Sequence, residues 1–134
     1  MYPDGQEILI IDDDERRREL SERVLSEAGF AVTAVSEGFS AIRAAGSRRV
    51  ALAIAAVELP GALDGPSTVR QIQVRQPWLK TLFTGDAAPR QWRRNCDHDD
   101  YISSPFDHRD LLGCVFELLQ RDIGDGYAGR NCSG

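Results

Sequence analysis

Lysine is almost missing from this sequence. Of sixteen basic residues only Lys80 is a lysine, so phosphate chemistry that needs an ammonium group must use that one position. Cysteine is sparse and scattered. Cys96, Cys114 and Cys132 form no C-x-x-C pair, which argues against a disulfide framework or a zinc site and for a reducing compartment. No apolar stretch approaches the roughly 18 residues of a membrane helix, and no basic-plus-apolar leader opens the chain, so a cytoplasmic protein away from the membrane is expected. Positive charge is also in deficit. The formal net charge is −5, the wrong sign for a domain that binds nucleic acid by itself. The arginines gather at Arg16–Arg18, Arg48–Arg49 and from Arg90 to Arg94, each beside acidic neighbours, and each cluster reads as a solvated face. A glycine-rich phosphate loop, a Ser-His-Asp set and a Cys-His set are all missing.

What is present is alternation. With 134 residues, 42% of them hydrophobic and 28% charged, the chain has the size and composition of one globular domain. The runs Glu7–Ile11, Phe30–Val35, Val50–Val57, Leu79–Thr84 and Tyr101–Ile102 read as strands, the first apolar on both faces as a central parallel strand must be. Between them come helical periods: Leu20, Val24 and Ala28; then Phe39, Ile42 and Ala45 behind a Ser36 cap; then Val69, Ile72 and Val74, stopping before Pro77. A short helix is expected near Pro89 to Arg94, and a last one, capped by Asp107, turns Leu111, Val115 and Leu118 inward. Strands alternating with helices make an α/β domain with a doubly wound parallel sheet covered on both faces, its ligands at the carboxyl ends of the strands. The domain is expected over residues 1–123, with a loose polar tail at 124–134.

The strongest local signal is Asp12-Asp13-Asp14, directly after Ile8-Leu9-Ile10-Ile11. Adjacent carboxylates repel by about 4 kcal/mol per close pair at a surface-like dielectric, and a hard cation such as Mg²⁺ relieves this by taking their oxygens. The plainer reading is that they start the next helix and favour its dipole. Further polar groups follow the other strands: Glu58 after the third, Thr84 at the fourth, Ser103-Ser104 after the fifth. Residues far apart in sequence therefore converge at one end of the sheet. Asp97-His98-Asp99-Asp100 reads as an exposed acidic loop, and His108 as solvated. Trp92, among Arg90, Arg93 and Arg94, reads equally as core or as an interaction anchor.

Five pieces in order, ILIIDDDE at 8–15, Gly38-x-x-Ala41, VELPGALDG at 57–65, LFTG at 82–85 and DYISSPFD at 100–107, resemble the response-regulator receiver (CheY-like) family over about residues 6 to 122. The resemblance implies a three-layer flavodoxin-like fold of five strands in order 2-1-3-4-5 and a role in two-component phosphorelay signalling. It maps Asp12 and Asp13 to the family's metal-binding acidic pair and Glu58 to a backbone carbonyl ligand. Thr84 falls at the switch hydroxyl and Tyr101 at the aromatic that changes rotamer. The family's phosphoacceptor aspartate lies four residues before the loop proline, and counting back from Pro60 gives Ala56. Its lysine precedes the proline after strand five, where this chain has Ser104. One residue more than usual separates Pro60 from Asp64-Gly65, and Lys80 enters strand four at the far end.

Without a nucleophile at 56 and a cation at 104, phosphotransfer lacks its reacting atom and its charge stabiliser. The chain is therefore expected to be a pseudo-receiver with weak Mg²⁺ affinity. It would act by contact with a histidine kinase, another signalling protein or a second copy through strands four and five and the last helices. Phosphorylation at a neighbouring carboxylate (Asp12, Asp13 or Glu58) is the alternative. A small haloacid-dehalogenase-type phosphatase is disfavoured, because Glu15-Arg16-Arg17 follows Asp12-x-Asp14 and the required lysine is missing.

Overall fold

Strand β1 (Glu7–Ile11) is sealed from solvent from Ile8 onward, the state of a strand with neighbours on both edges and helices on both faces. In a computed structural model that describes residues 7–86 and 99–120, it is followed by α1 (Glu15–Glu27), β2 (Ala31–Val35), α2 (Gly38–Ala45), β3 (Leu52–Ala56) and α3 (Gly65–Arg75). The chain then runs through β4 (Lys80–Gly85), β5 (Asp99–Ser103) and α4 (His108–Gln120). All strand pairs are parallel, as the strand–helix alternation predicts, and the order is β2-β1-β3-β4-β5, as the family resemblance implies. The short helix near 89–94, Trp92, Asp97, His98 and the tail from 124 lie outside the described residues.

Strand pleating divides the interior into two cores. Leu9, Ile11, Ala53, Ala55 and Phe83 face one way, against Ala41 and Ala45 of α2 and Val69 and Ile72 of α3. Ile8, Ile10, Leu52, Ile54 and Leu82 face the other way, against Leu25 of α1 and Leu111, Val115 and Leu118 of α4. The inward face expected of α4 is thus observed.

The three other helices differ from expectation in part. In α1 the buried positions are Ser21 and Leu25, while Leu20 is 47% exposed and Ala28 lies on the surface. The docking stripe is shifted by one residue, because Ser21 and Leu25 rather than Leu20 and Val24 are buried, with Leu25 in the core beside Phe30. In α2, Phe39 is 55% exposed and small residues, Gly38, Ala41 and Ala45, face inward. Their size lets α2 lie close to α3: a Cβ on Gly38 would overlap the Thr68 hydroxyl and crowd Leu63. Helix α2 begins at Glu37 without a side-chain cap, so Ser36 does not cap it. Val74 of α3 is exposed as well. Gly65 is needed for a different close approach, since a Cβ there would collide with the carbonyl of Ala56. That contact folds the β3–α3 loop back over the end of β3, where Gly65 N–H also donates to Val57 O at 2.9 Å.

Candidate functional site: an acidic pocket closed by an arginine

Parallel register brings the carboxyl ends of the strands level. Ile11 pairs with Ala55, and Ala56 with Thr84, so the residues that follow β1 emerge beside the end of β3. One further backbone bond prolongs each ladder: Asp12 N–H to Val35 O at 3.0 Å, Val57 N–H to Thr84 O at 2.8 Å, and Ser104 N–H to Gly85 O at 2.9 Å. This fixed edge lines a cavity of about 230 Å³ that includes Asp13, Arg17, Ala56, Glu58, Thr84 and Ser104. The convergence expected from sequence is therefore present.

Asp12 is 4% exposed and fully engaged. Its Oδ2 accepts from Arg17 Nε at 2.6 Å. Its Oδ1 accepts from Arg17 Nη2 at 2.9 Å and from the Asp14 N–H at 2.9 Å, and its carbonyl accepts from Arg18 Nη1 at 2.9 Å. A two-pronged guanidinium–carboxylate pair is the strong, directional form of this interaction. The hydrogen bond that the Arg17 guanidinium donates to Asp12 raises its already high pKa further. Asp14 caps α1, accepting from Arg17 N–H at 2.9 Å, and that bond lowers its carboxyl pKa. The triplet divides its roles among its residues: Asp14 starts the helix, exposed Asp13 lines the pocket, and Asp12 is buried behind it, held by Arg17.

Arg17 is the residue that sequence reasoning missed. The Arg16–Arg18 cluster reads as a solvated face, yet Arg17 and Arg18 both turn back onto the end of β1. The available signal was spacing: a helix starting three residues after a strand places its first turn over the strand's last residue. Ala56 is 4% exposed and offers the pocket a methyl group. Thr84 is 2% exposed beside it. Ser104 lies across the cavity with its buried Oγ lacking a hydrogen-bond partner among the described residues. Tyr101 packs against the α2–α3 core and donates its hydroxyl to Gly85 O at 2.7 Å. Burial, and secondarily the charge of Asp86, raise its pKa. Glu58 is exposed at the rim. Lys80 enters at the opposite end of β4, where its Nζ donates to Leu118 O at 2.5 Å. It is no substitute for a cation at the pocket.

Geometry decides whether the pocket suits a divalent ion. Mg²⁺ needs a few well-placed carboxylate oxygens and near-octahedral freedom around them. Here both Asp12 oxygens already accept from one guanidinium, and β3 contributes carbon where a third oxygen donor would stand. Among the described residues no group of three or more His, Cys, Asp or Glu side chains is placed to hold a metal ion. The residues present do not fit a resident divalent ion, and no chemical step is routed through one.

A five-stranded parallel sheet in order 2-1-3-4-5 with an acidic pocket at its carboxyl edge is the flavodoxin-like α/β architecture that receiver domains share. Residues 8–116 match the sequence model of the response regulator receiver domain, and the chain belongs to that family. It is 38% identical over 126 residues to the transcriptional regulatory protein GltR of Pseudomonas aeruginosa, covering 90% of this chain and 52% of that protein. It is also 32% identical over 128 residues to the transcriptional regulatory protein CseB of Streptomyces coelicolor, covering 94% of this chain and 53% of that protein. The chain thus spans about half the length of these curated relatives. Among solved structures it superposes on a response regulator receiver protein from Sinorhizobium medicae with a TM-score of 0.78 at 25% identity, over 89% of this chain and 98% of that one. A CheY-like receiver domain from Methanospirillum hungatei superposes with a TM-score of 0.76 at 22% identity, over 90% and 98%, a likeness of fold.

Proposed function

We propose that this chain is a phosphorylation-independent receiver domain, a non-enzymatic module of two-component signalling that works in the cytoplasm by protein–protein contact. The observation that carries this reading is Ala56. The buried position at the end of β3, lining the pocket beside Thr84, offers no nucleophile. Two further features agree with it. Ser104 provides no charge to the cavity, and the nearest buried carboxylate, Asp12, is locked to Arg17. Weak Mg²⁺ affinity follows from the same geometry.

Lacking a phosphoryl switch, the domain responds only to a partner that binds one conformation better than another. Inverting a 1:99 population takes about 5.5 kcal/mol of such preference. A histidine kinase, another signalling protein or a second copy docking through β4, β5 and α4 are the partners that fit this reading. The test is intact mass after incubation with acetyl phosphate and Mg²⁺. An unchanged mass is expected. A stable phosphoryl adduct, mapped to Asp12, Asp13, Asp14 or Glu58, would replace this reading with a working receiver that uses a displaced acceptor.

A further inference from the structure

The acidic pocket contains its own counter-ion. Arg17 reaches back from the first turn of α1 and binds both oxygens of buried Asp12, at 2.6 and 2.9 Å, and its guanidinium lies 3.9 Å from Asp14 Oδ2. Its side chain is one-third exposed and lines two adjoining cavities, the pocket with Ala56 and Ser104 and a groove with Leu20, Pro105 and Phe106. Removing the charge of a carboxylate pocket by an attached guanidinium differs from doing so with a free ion. The tether keeps the cation present at any metal concentration, and it joins the start of α1 to the end of β1. Planar, two-pronged pairing also suits guanidinium better than any lysine at the same place.

We infer that Arg17 is the resident cation of the acidic pocket, a guanidinium built into α1 that occupies the carboxylate a divalent ion would otherwise take. The pocket is then closed to Mg²⁺ by occupation as well as by the missing third ligand at position 56. Two causes can be separated, because Arg17 can be removed while Ala56 stays. The inference concerns the counter-ion alone and holds whether or not any carboxylate here is ever phosphorylated. A phosphoryl adduct would overturn the proposed function and leave this point to its own experiment.

That experiment starts with the unaltered chain, following the Arg17 Nε–H resonance while MgCl₂ is raised to about 10 mM, a range in which a site of millimolar affinity would fill. The expected result is a slowly exchanging Nε–H that Mg²⁺ does not move. A resonance that shifts and broadens with a saturable midpoint would mean that the metal displaces the guanidinium, and would overturn the inference. The second arm compares Arg17→Gln with Arg16→Gln, which loses the same charge from an exposed neighbour. Arg17→Gln is expected to gain at least tenfold in Mg²⁺ affinity and to rise in Tm when the ion is added; Arg16→Gln is expected to do neither. A folded Arg17→Gln chain that ignores Mg²⁺, or an equal gain in both variants, would overturn the inference. If Arg17→Gln does not fold, the resonance experiment on the unaltered chain decides alone.

Discussion

At the amino-terminal end of the sheet, buried Gln76 spends its whole amide on backbone groups: Oε1 accepts from Val50 N–H at 2.7 Å, and Nε2 donates to Ala45 O and Arg48 O at 2.9 and 2.8 Å. At the carboxyl end, across the same strands, the pocket holds a methyl at Ala56 and a serine hydroxyl without a partner among the described residues. The amino-terminal end is a satisfied polar network that ties the α2–β3 connection to the end of α3. Trp78 extends it by donating to Val50 O at 3.1 Å, and Arg49 stacks over the Trp78 ring at 3.8 Å. At the carboxyl end the Asp12–Arg17 pair and the bond from the Tyr101 hydroxyl to Gly85 O stand beside groups that have no partner among the described residues. Satisfied buried networks specify a structure, and partly satisfied ones mark where function resides or has been lost. Stability in this domain is therefore expected to depend on the end of the sheet that has no site.

The largest effect should come from breaking that network. Gln76→Ala would strand one backbone donor and two acceptors in or near the core, and is expected to lower unfolding stability by about 3 kcal/mol. Urea melts would check this, and a loss as small as that of an average surface substitution would show that water replaces the amide. A smaller effect is expected from Asp99 at the start of β5, whose carboxyl is pushed up to about 6 by burial and then by the charge of Asp100. Because the folded value lies above the ordinary 3.8, the native state favours the protonated acid. The associated stability is fully present below about pH 4 and is lost as pH rises through about 6. Asp99→Asn should consequently stabilise the domain by about 2 kcal/mol at pH 8 and by almost nothing at pH 4. Melts of both chains across that range would reveal a parallel offset if the shift has another origin.

The smallest effect sharpens the comparison within one strand. Thr81, fully buried in β4 three residues before Thr84, has an Oγ1 without a partner among the described residues. Replacing its hydroxyl by a methyl removes a desolvated polar group at constant shape. Thr81→Val is expected to raise stability by about 1 kcal/mol, measurable as a shift in the urea midpoint. A loss instead would point to a buried water or bond that holds the hydroxyl.

Much of the site was legible in one dimension. The strand ends and the gathering of Asp12, Asp13, Glu58, Thr84 and Ser104 at one edge follow from counting along the chain, whereas the order of the sheet and the significance of Ala56 follow from the family resemblance. Period-two and period-3.6 patterns are local, and parallel topology leaves few ways to arrange them. The face of α1 was less legible, because Leu20, Val24 and Leu25 all have the composition of an inward stripe and only docking selects Leu25 and Ser21. The exposure of Phe39 has the same origin, since the close approach of α2 to α3 at Gly38 admits small residues and turns the ring outward.

What the sequence determined by itself was the α/β class of fold and the presence of a methyl group at position 56, since both depend on residue identity at spacings that local structure dictates. What only the tertiary structure decided was the fate of the charges. Three aspartates and three arginines in a row allow many pairings, and their energies depend on burial and on distances of a few ångströms. Folding the first turn of α1 over the end of β1 buries Asp12 and brings Arg17 within bonding range. That step turns an apparent metal site into an internal ion pair.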